Sequence, residues 1–167
     1  AAGKPFFTYL ATAAPHGPHF VPQKYRDAVT ARLEAALPKL PPLAPGARRQ
    51  LASYLAMIEN LDENMGRLEE FLARENLRDD TLLVFLTDNG TTFGDQYFPA
   101  GMRGKKVTLW EGGHRVPLFV RWPHGGLGAP RDVAPLTQVQ DLLPTLLELV
   151  EIAQPERVTF DGMSLAP

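Results

Sequence analysis

An acid and an amide follow directly after an apolar run near the middle of the chain. Residues 82–86 are uninterrupted hydrophobes, and Asp88, Asn89 and Gly90 come just after them. Such a run is typical of a parallel strand that is buried on both faces. The carboxyl ends of such strands meet the crevice where open α/β sheets bind ligands. Asp88 and Asn89 would present oxygen ligands there, of the kind that calcium and magnesium prefer.

The same three residues also fit a simpler interpretation. A strand can end in an Asx turn that Gly90 closes without any ligand. Short motifs match by chance often, so the tripeptide alone favours this simpler interpretation.

Two other segments carry side chains that could bind an anion. His16 and His19 lie in a loop of prolines and glycine, and Lys105 and Lys106 follow Gly104. An imidazole can donate a hydrogen bond or a proton, and an ammonium is a point charge suited to a tetrahedral anion. Without further evidence, a histidine in a loop is more often an exposed turn residue, and lysines in a loop are more often solvated.

The elements that must position these residues alternate between strands and helices. The pattern predicts strands at 6–10, 82–87 and 116–122, and helices at 23–37, 47–76 and 138–150. The helix at 47–76 is the clearest, because its apolar residues recur every three or four positions. Pro144 is compatible with the last helix only in its first turn or at a kink. This alternation predicts the α/β class with a mainly parallel sheet flanked by helices.

Two loops stand out between these elements. Four prolines fall between positions 38 and 45, which excludes a regular helix or central strand and predicts a Pro-rich surface loop at 38–46. Residues 90–110 form a long segment rich in glycine and aromatic residues. Loops of this length inside compact domains are usually functional or disordered.

Composition excludes several classes of function. The chain has 167 residues, a net charge of −2 and a pI of about 6.1, so no basic surface points to nucleic acid. No apolar run approaches the ~18 residues of a membrane span. Cysteine is absent, which excludes disulfides, thiolate zinc sites and a cysteine nucleophile within these residues. Residues 1–10 lack the features of a signal peptide.

Taken in order, the motifs of the chain resemble the sulfatase family over nearly its whole length, apart from the Pro-rich loop. The segments that carry the resemblance are Lys4-Pro5-Phe6-Phe7-Thr8-Tyr9-Leu10, Ala14-Pro15-His16-Gly17-Pro18-His19, Tyr54-Leu55-Ala56-Met57-Ile58-Glu59-Asn60-Leu61-Asp62, Thr87-Asp88-Asn89-Gly90, Met102-Arg103-Gly104-Lys105-Lys106, Trp110-Glu111-Gly112-Gly113-His114-Arg115-Val116-Pro117, Val139-Gln140-Asp141-Leu142-Leu143-Pro144-Thr145-Leu146-Leu147 and Asp161-Gly162-Met163-Ser164-Leu165. The resemblance implies an alkaline-phosphatase-like sulfatase fold.

The resemblance also implies roles for individual residues. Asp88 and Asn89 match the later pair of metal ligands of the family, usually for Ca²⁺, with Mg²⁺ as an alternative. His16 and Lys106 match residues that contact the sulfate group and serve catalysis, although the neighbouring Lys105 leaves open which ammonium faces the sulfate. His19 would line the substrate pocket or be exposed.

Glu111 and Arg115 have a supporting role in this interpretation. We expect them to form a buried or half-buried ion pair that holds the Lys106 loop. The glycines between them, Gly112 and Gly113, would allow a close approach of the backbone.

Parts of the family site are missing from these residues. The family nucleophile is a formylglycine made from a Cys/Ser-x-Pro-x-Arg motif, which does not occur here, and the first acidic pair of metal ligands is also missing. Three predicted strands are few, since ~5–6 strands is typical of a sheet. We therefore expect residues 1–167 to be the middle and later part of a catalytic domain, an incomplete sulfatase fold that is inactive alone.

The resemblance implies that the full protein hydrolyses sulfate monoesters, small or sugar-linked, to an alcohol and inorganic sulfate. Two alternatives remain open, namely a phosphate or phosphonate ester hydrolase of the same superfamily and a non-catalytic domain that retains half of the site. The family also implies a periplasmic or secreted location. An exposed sheet edge would make the chain self-associate or be poorly stable.

Overall fold

The apolar stripe between positions 51 and 72 forms the longest helix of the chain. In the computed structural model, which describes residues 3–36 and 42–167, this helix is α2, Pro45–Arg74. Its partner is α1, Gln23–Ala36. Both predicted helices are confirmed to within two residues at each end. The core between them consists of Tyr25, Val29, Leu33, Leu51, Ala52, Ala56, Met57 and Leu72.

Polar contacts also join α1 to α2. The Tyr25 hydroxyl donates a hydrogen bond to Glu63, and Arg32 forms an ion pair with Glu59. The hydrogen bond from Tyr25 lowers the pKa of the Glu63 carboxyl below its usual value. Both acids therefore contact the neighbouring helix.

Residues 6–10 do not form the predicted strand. They have no regular secondary structure and no strand partner in the described part of the chain, and Phe7 and Tyr9 are 85% and 80% exposed. A β-strand needs a neighbour to satisfy its backbone groups, and the apolar pattern alone does not supply one. The prediction of a buried strand here is therefore wrong for this structure.

The second compact unit, Asn76–Pro167, contains the described sheet, and the first is Ala1–Glu75. Strand β1, Leu83–Leu86, pairs with β2, Leu118–Arg121, and Leu83 lies opposite Arg121. The pairing is antiparallel, whereas the alternation of elements predicts a parallel sheet. A parallel connection usually uses a long crossover helix. The only α-helix described between β1 and β2 is the four-residue α3, Glu111–His114.

Strand β1 is less buried than its sequence predicts. Its residues are half-buried, and Leu86 is 37% exposed. Within the described ranges β1 has one neighbouring strand, β2, so its other edge is unpaired there. The prediction of burial on both faces is therefore wrong for this structure.

The last helix starts as the proline rule requires. A 3₁₀ turn, Val139–Asp141, leads into α4, Leu142–Leu149, and Pro144 lies in the first turn of α4. The buried carboxylate of Asp141 accepts hydrogen bonds from the backbone N–H groups of Gln138 (2.7 Å) and Met163 (3.0 Å). This side chain therefore fastens the segment around Met163 to the start of α4.

The predicted Pro-rich loop at 38–46 is only partly described. Residues 38–41 lie outside the described residues, and α2 already begins at Pro45. Among the described helices, none is both long enough and apolar enough to cross a membrane.

Candidate functional site

The acid and the amide lie together just after β1. Asp88 is exposed, Asn89 is half-buried, and the Asn89 amide donates a hydrogen bond to the Asp88 carboxylate. Calcium takes six to eight oxygen ligands. The described residues contain no group of three acidic, histidine or cysteine side chains that could hold a metal. Asp88 and Asn89 fit part of a calcium site, in which the amide would present its oxygen to the ion.

Gly90 brings this strand end against α3. The N–H of Gly90 donates to the carbonyl of Gly113 at 3.0 Å. A Cβ on Gly90 would lie 1.8 Å from the carbonyl oxygen of Gly112, which is far inside any tolerated contact. The sequence suggested only a turn-closing role for Gly90, yet the residue permits direct backbone contact between the strand end and α3.

Hydrogen bonds of the backbone also connect α3 and the strand end to the lysine loop. The N–H of Gly112 donates to the carbonyl of Arg103 at 2.8 Å, and the N–H of Lys106 donates to the carbonyl of Thr91 at 2.9 Å. A Cβ on Gly113 would lie 2.2 Å from the carbonyl oxygen of Thr108. The predicted close approach at Gly112 and Gly113 is therefore confirmed. Asp88, Asn89 and Lys106 thus belong to segments that hydrogen bonds join.

The two adjacent lysines have different surroundings. Lys105 Nζ lies 3.7 Å from Asp95 Oδ2, and the Lys105 side chain is half exposed. Lys106 is half-buried, and the described part of the chain places no carboxylate within ion-pair distance of its ammonium. The two ammonium groups therefore differ in their pairing within the described part of the chain. Asp95 was missed by sequence reasoning, because no local pattern distinguishes it within the long loop.

A strained turn follows Lys106. Val107 has a φ of 66°, in the left-handed region that branched residues rarely adopt, and its side chain is 92% exposed. Thr108 closes the turn, since its hydroxyl donates to the Lys105 carbonyl at 2.7 Å and accepts from the Lys105 N–H at 3.1 Å. The backbone around Lys106 is thus held from both sides.

Glu111 and Arg115 form the predicted ion pair, but not in the predicted surroundings. Arg115 Nη1 lies 3.4 Å from Glu111 Oε1, and the two side chains are 70% and 58% exposed. The prediction of a buried or half-buried pair is wrong, because α3 turns both side chains outward. The contacts to the lysine loop described above come from the backbone of Gly112 and Gly113.

The first unit carries the two candidate histidines. His16 is exposed, and its Nδ1 lies 2.6 Å from the carbonyl oxygen of Gly17. A carbonyl only accepts, so Nδ1 carries the hydrogen and Nε2 remains for a ligand. The His19 ring lies edge-on against Tyr54 at 5.5 Å. His19 also borders an open cleft of about 310 Å³ that is lined by Gly17, Pro18, Gly46, Arg49, Gln50 and Ser53.

A third histidine serves a structural contact in the second unit. His124 Nδ1 lies 2.7 Å from Asp80 Oδ1, and this hydrogen bond raises the pKa of the exposed imidazole. The contact joins the residues before β1 to those after β2 and is not part of the candidate site.

Comparisons with known proteins place this geometry in a family. The sulfatase family model matches residues 1–152. The choline-sulfatase of Rhizobium meliloti is 36% identical over 123 residues, which cover 72% of this chain and 22% of the relative. The chain spans less than a third of the length of the curated relatives that it matches first.

Solved structures agree with the fold. The structure of Ps i-CgsB in complex with k-i-k-neocarrahexaose superposes with a TM-score of 0.70 at 27% identity, over 92% of this chain and 31% of that chain. The phosphonate monoester hydrolase of Agrobacterium radiobacter gives a TM-score of 0.62 at 27% identity, over 91% of this chain and 36% of that chain. These likenesses confirm the predicted class, an incomplete alkaline-phosphatase-like α/β fold. The chain belongs to the sulfatase family.

Proposed function

We propose that the protein containing this chain hydrolyses sulfate monoesters and that these residues supply part of the cation and sulfate site. The main support for this proposal is the network of backbone hydrogen bonds that joins the strand end at Gly90 and Thr91 to the Lys106 loop. It holds an oxygen pair and an ammonium without a carboxylate partner among the described residues in one connected piece of structure. A tetrahedral anion with a bound cation needs groups of both kinds.

Each residue has a distinct role in this proposal. Asp88 and Asn89 would hold Ca²⁺, or Mg²⁺, with further ligands from outside these residues. The ion would supply electrostatic stabilisation to the sulfuryl oxygens. Lys106 holds a sulfate oxygen by its charge, and His16 Nε2 contacts the bridging oxygen to the alcohol. When protonated, His16 gives its proton to that oxygen as the alcohol leaves. His19 lines the side of the pocket that takes the alcohol.

The overall reaction consumes one water. The bond between sulfur and the bridging oxygen breaks, the alcohol takes a proton, and the water oxygen ends on inorganic sulfate. A formylglycine outside residues 1–167 is the proposed nucleophile, so we expect the isolated chain to be inactive. The sulfate ester is the only partner that the proposal requires.

The two lysines offer a matched test in the full-length protein. Lys106→Ala removes the charge that holds the sulfate, and we expect kcat/KM for an aryl sulfate to fall by about 100-fold or more. Lys105→Ala removes a neighbouring charge that is already paired and serves as the control, with an expected change of a few-fold. Equal losses in both variants, or no sulfatase activity in the parent protein, would contradict the proposal.

A second candidate function is hydrolysis of phosphonate monoesters. It is favoured by the likeness to the phosphonate monoester hydrolase structure, which covers almost as much of this chain as the first structure does. Comparing kcat/KM of the full-length protein for an aryl sulfate and an aryl phosphonate monoester distinguishes the two. Both esters carry one negative charge, so the comparison tests the shape of the site rather than its net charge.

A further inference from the structure

The ion pair between Lys105 and Asp95 lies directly beside the proposed sulfate-binding lysine. The Asp95 carboxylate is 26% exposed and the Lys105 side chain is 49% exposed, with 3.7 Å between Nζ and Oδ2. Lys106 follows in the chain and has no such partner among residues 3–36 and 42–167. Of the two neighbouring ammonium groups, one is therefore neutralised and one is not.

Thr91 holds the backbone near both Asp95 and Lys106. Its hydroxyl oxygen accepts hydrogen bonds from the backbone N–H groups of Phe93 (3.0 Å) and Gly94 (2.7 Å). These bonds hold the start of the 3₁₀ turn Gly94–Gln96, which carries Asp95. The carbonyl of the same threonine accepts the N–H of Lys106 at 2.9 Å. Asp95 and Lys106 are thus positioned by one residue that lies immediately after the Asp-Asn-Gly strand end.

We propose that Asp95 shifts the preference of the site away from phosphate esters and toward sulfate esters by neutralising Lys105. With the ion pair in place, the two lysines and Asp95 together present one net positive charge. A sulfate monoester carries one negative charge, whereas a phosphate monoester carries close to two above its second pKa of about 6. Neutralising Lys105 therefore weakens the attraction of the site for the doubly charged phosphate ester more than its attraction for the singly charged sulfate ester. This inference rests on the proposed function of the Lys106 loop.

The expected effect is moderate because Lys105 is half exposed. An unpaired charge in a partly solvated site attracts a dianion more than a monoanion. For a charge assumed to lie about 10 Å from the ester, at an effective dielectric of about 50, Coulomb's law predicts about a threefold change in relative preference. Salt would weaken the effect, since the Debye length is about 10 Å at 0.1 M.

The test measures selectivity in the full-length protein. We compare kcat/KM for an aryl phosphate with that for the aryl sulfate of the same alcohol, at about pH 8 and low ionic strength. Asp95→Asn should raise the ratio of phosphate to sulfate about threefold, because Lys105 becomes an unpaired charge. Lys105→Gln should lower the ratio, because Asp95 is then the unpaired charge. The double variant should return it close to the parent value.

A purely structural role of Asp95 gives a different result. Loss of loop structure would lower both activities together, would not be reversed by Lys105→Gln, and would leave the ratio unchanged. Asp95→Glu keeps the charge and should keep the ratio. If the parent hydrolyses aryl sulfate but Asp95→Asn leaves the ratio unchanged, the charge role is overturned and the proposed function stands. If the parent does not hydrolyse aryl sulfate, both are overturned.

Discussion

Lys105 and Lys106 illustrate what a sequence hides at the scale of single residues. Both are ammonium groups at the same point of one motif, and the sequence leaves open which of them faces an anion. The structure distinguishes them through Asp95, which lies ten positions before Lys105 and contacts it across the loop. Such a contact depends on the path of the loop and has no local sequence signal.

The strained turn after Lys106 leads to a prediction about stability. Val107→Gly removes a branched side chain from a left-handed conformation, at φ 66°, that costs about 1–2 kcal/mol for an L-residue. The added freedom of the unfolded chain offsets part of this gain. We expect the free energy of unfolding to rise by about 0.5–1 kcal/mol, as measured by urea denaturation.

The control for Val107 is Leu109, which is also in this loop and is 97% exposed. Leu109 is not among the described residues with positive φ, so Leu109→Gly brings the entropic cost of glycine without relief of strain. The two glycine variants should therefore change stability in opposite directions. A loss of stability in both would show that the turn is not strained.

At the scale of elements, helices were predictable and strand pairing was not. The period of apolar residues in α2 is a local property, and its bounds follow from the sequence to within two residues. Residues 6–10 carry an equally apolar pattern but have no strand partner in the described part of the chain, because pairing depends on a segment distant in sequence. The antiparallel register of β1 and β2 was missed for the same reason.

Asp141 links two elements, and this link can be measured. Asp141→Ala removes the buried acceptor of the N–H groups of Gln138 and Met163. A hydrogen bond to a charged group contributes about 1.5–3 kcal/mol, so we expect a loss of about 2–3 kcal/mol in the free energy of unfolding. Asp132→Ala, at an exposed aspartate of the same unit, should change it by less than about 0.5 kcal/mol. Equal effects would contradict the proposed link.

At the scale of the whole molecule, much apolar surface is exposed. Phe7, Phe20, Phe98, Leu109 and Leu136 are each at least 79% exposed, and β1 has an unpaired edge within the described residues. Exposed apolar side chains and open strand edges favour association. We therefore expect purified residues 1–167 to form dimers or larger species whose mass in light scattering rises with concentration. A concentration-independent monomer with a cooperative thermal transition would contradict this expectation.

The close backbone contact among Gly90, Gly112 and Gly113 limits which mutations the gene can tolerate at these codons. Any base substitution that replaces one of these glycines adds a Cβ, and each position has backbone atoms within 2.2 Å of where that Cβ would lie. No conservative replacement exists at these positions, since even alanine carries the Cβ that would clash. Random mutagenesis of the gene should therefore yield inactive alleles at these three codons whatever residue is introduced, whereas the neighbouring codon of Glu111, whose side chain is exposed, should tolerate many replacements.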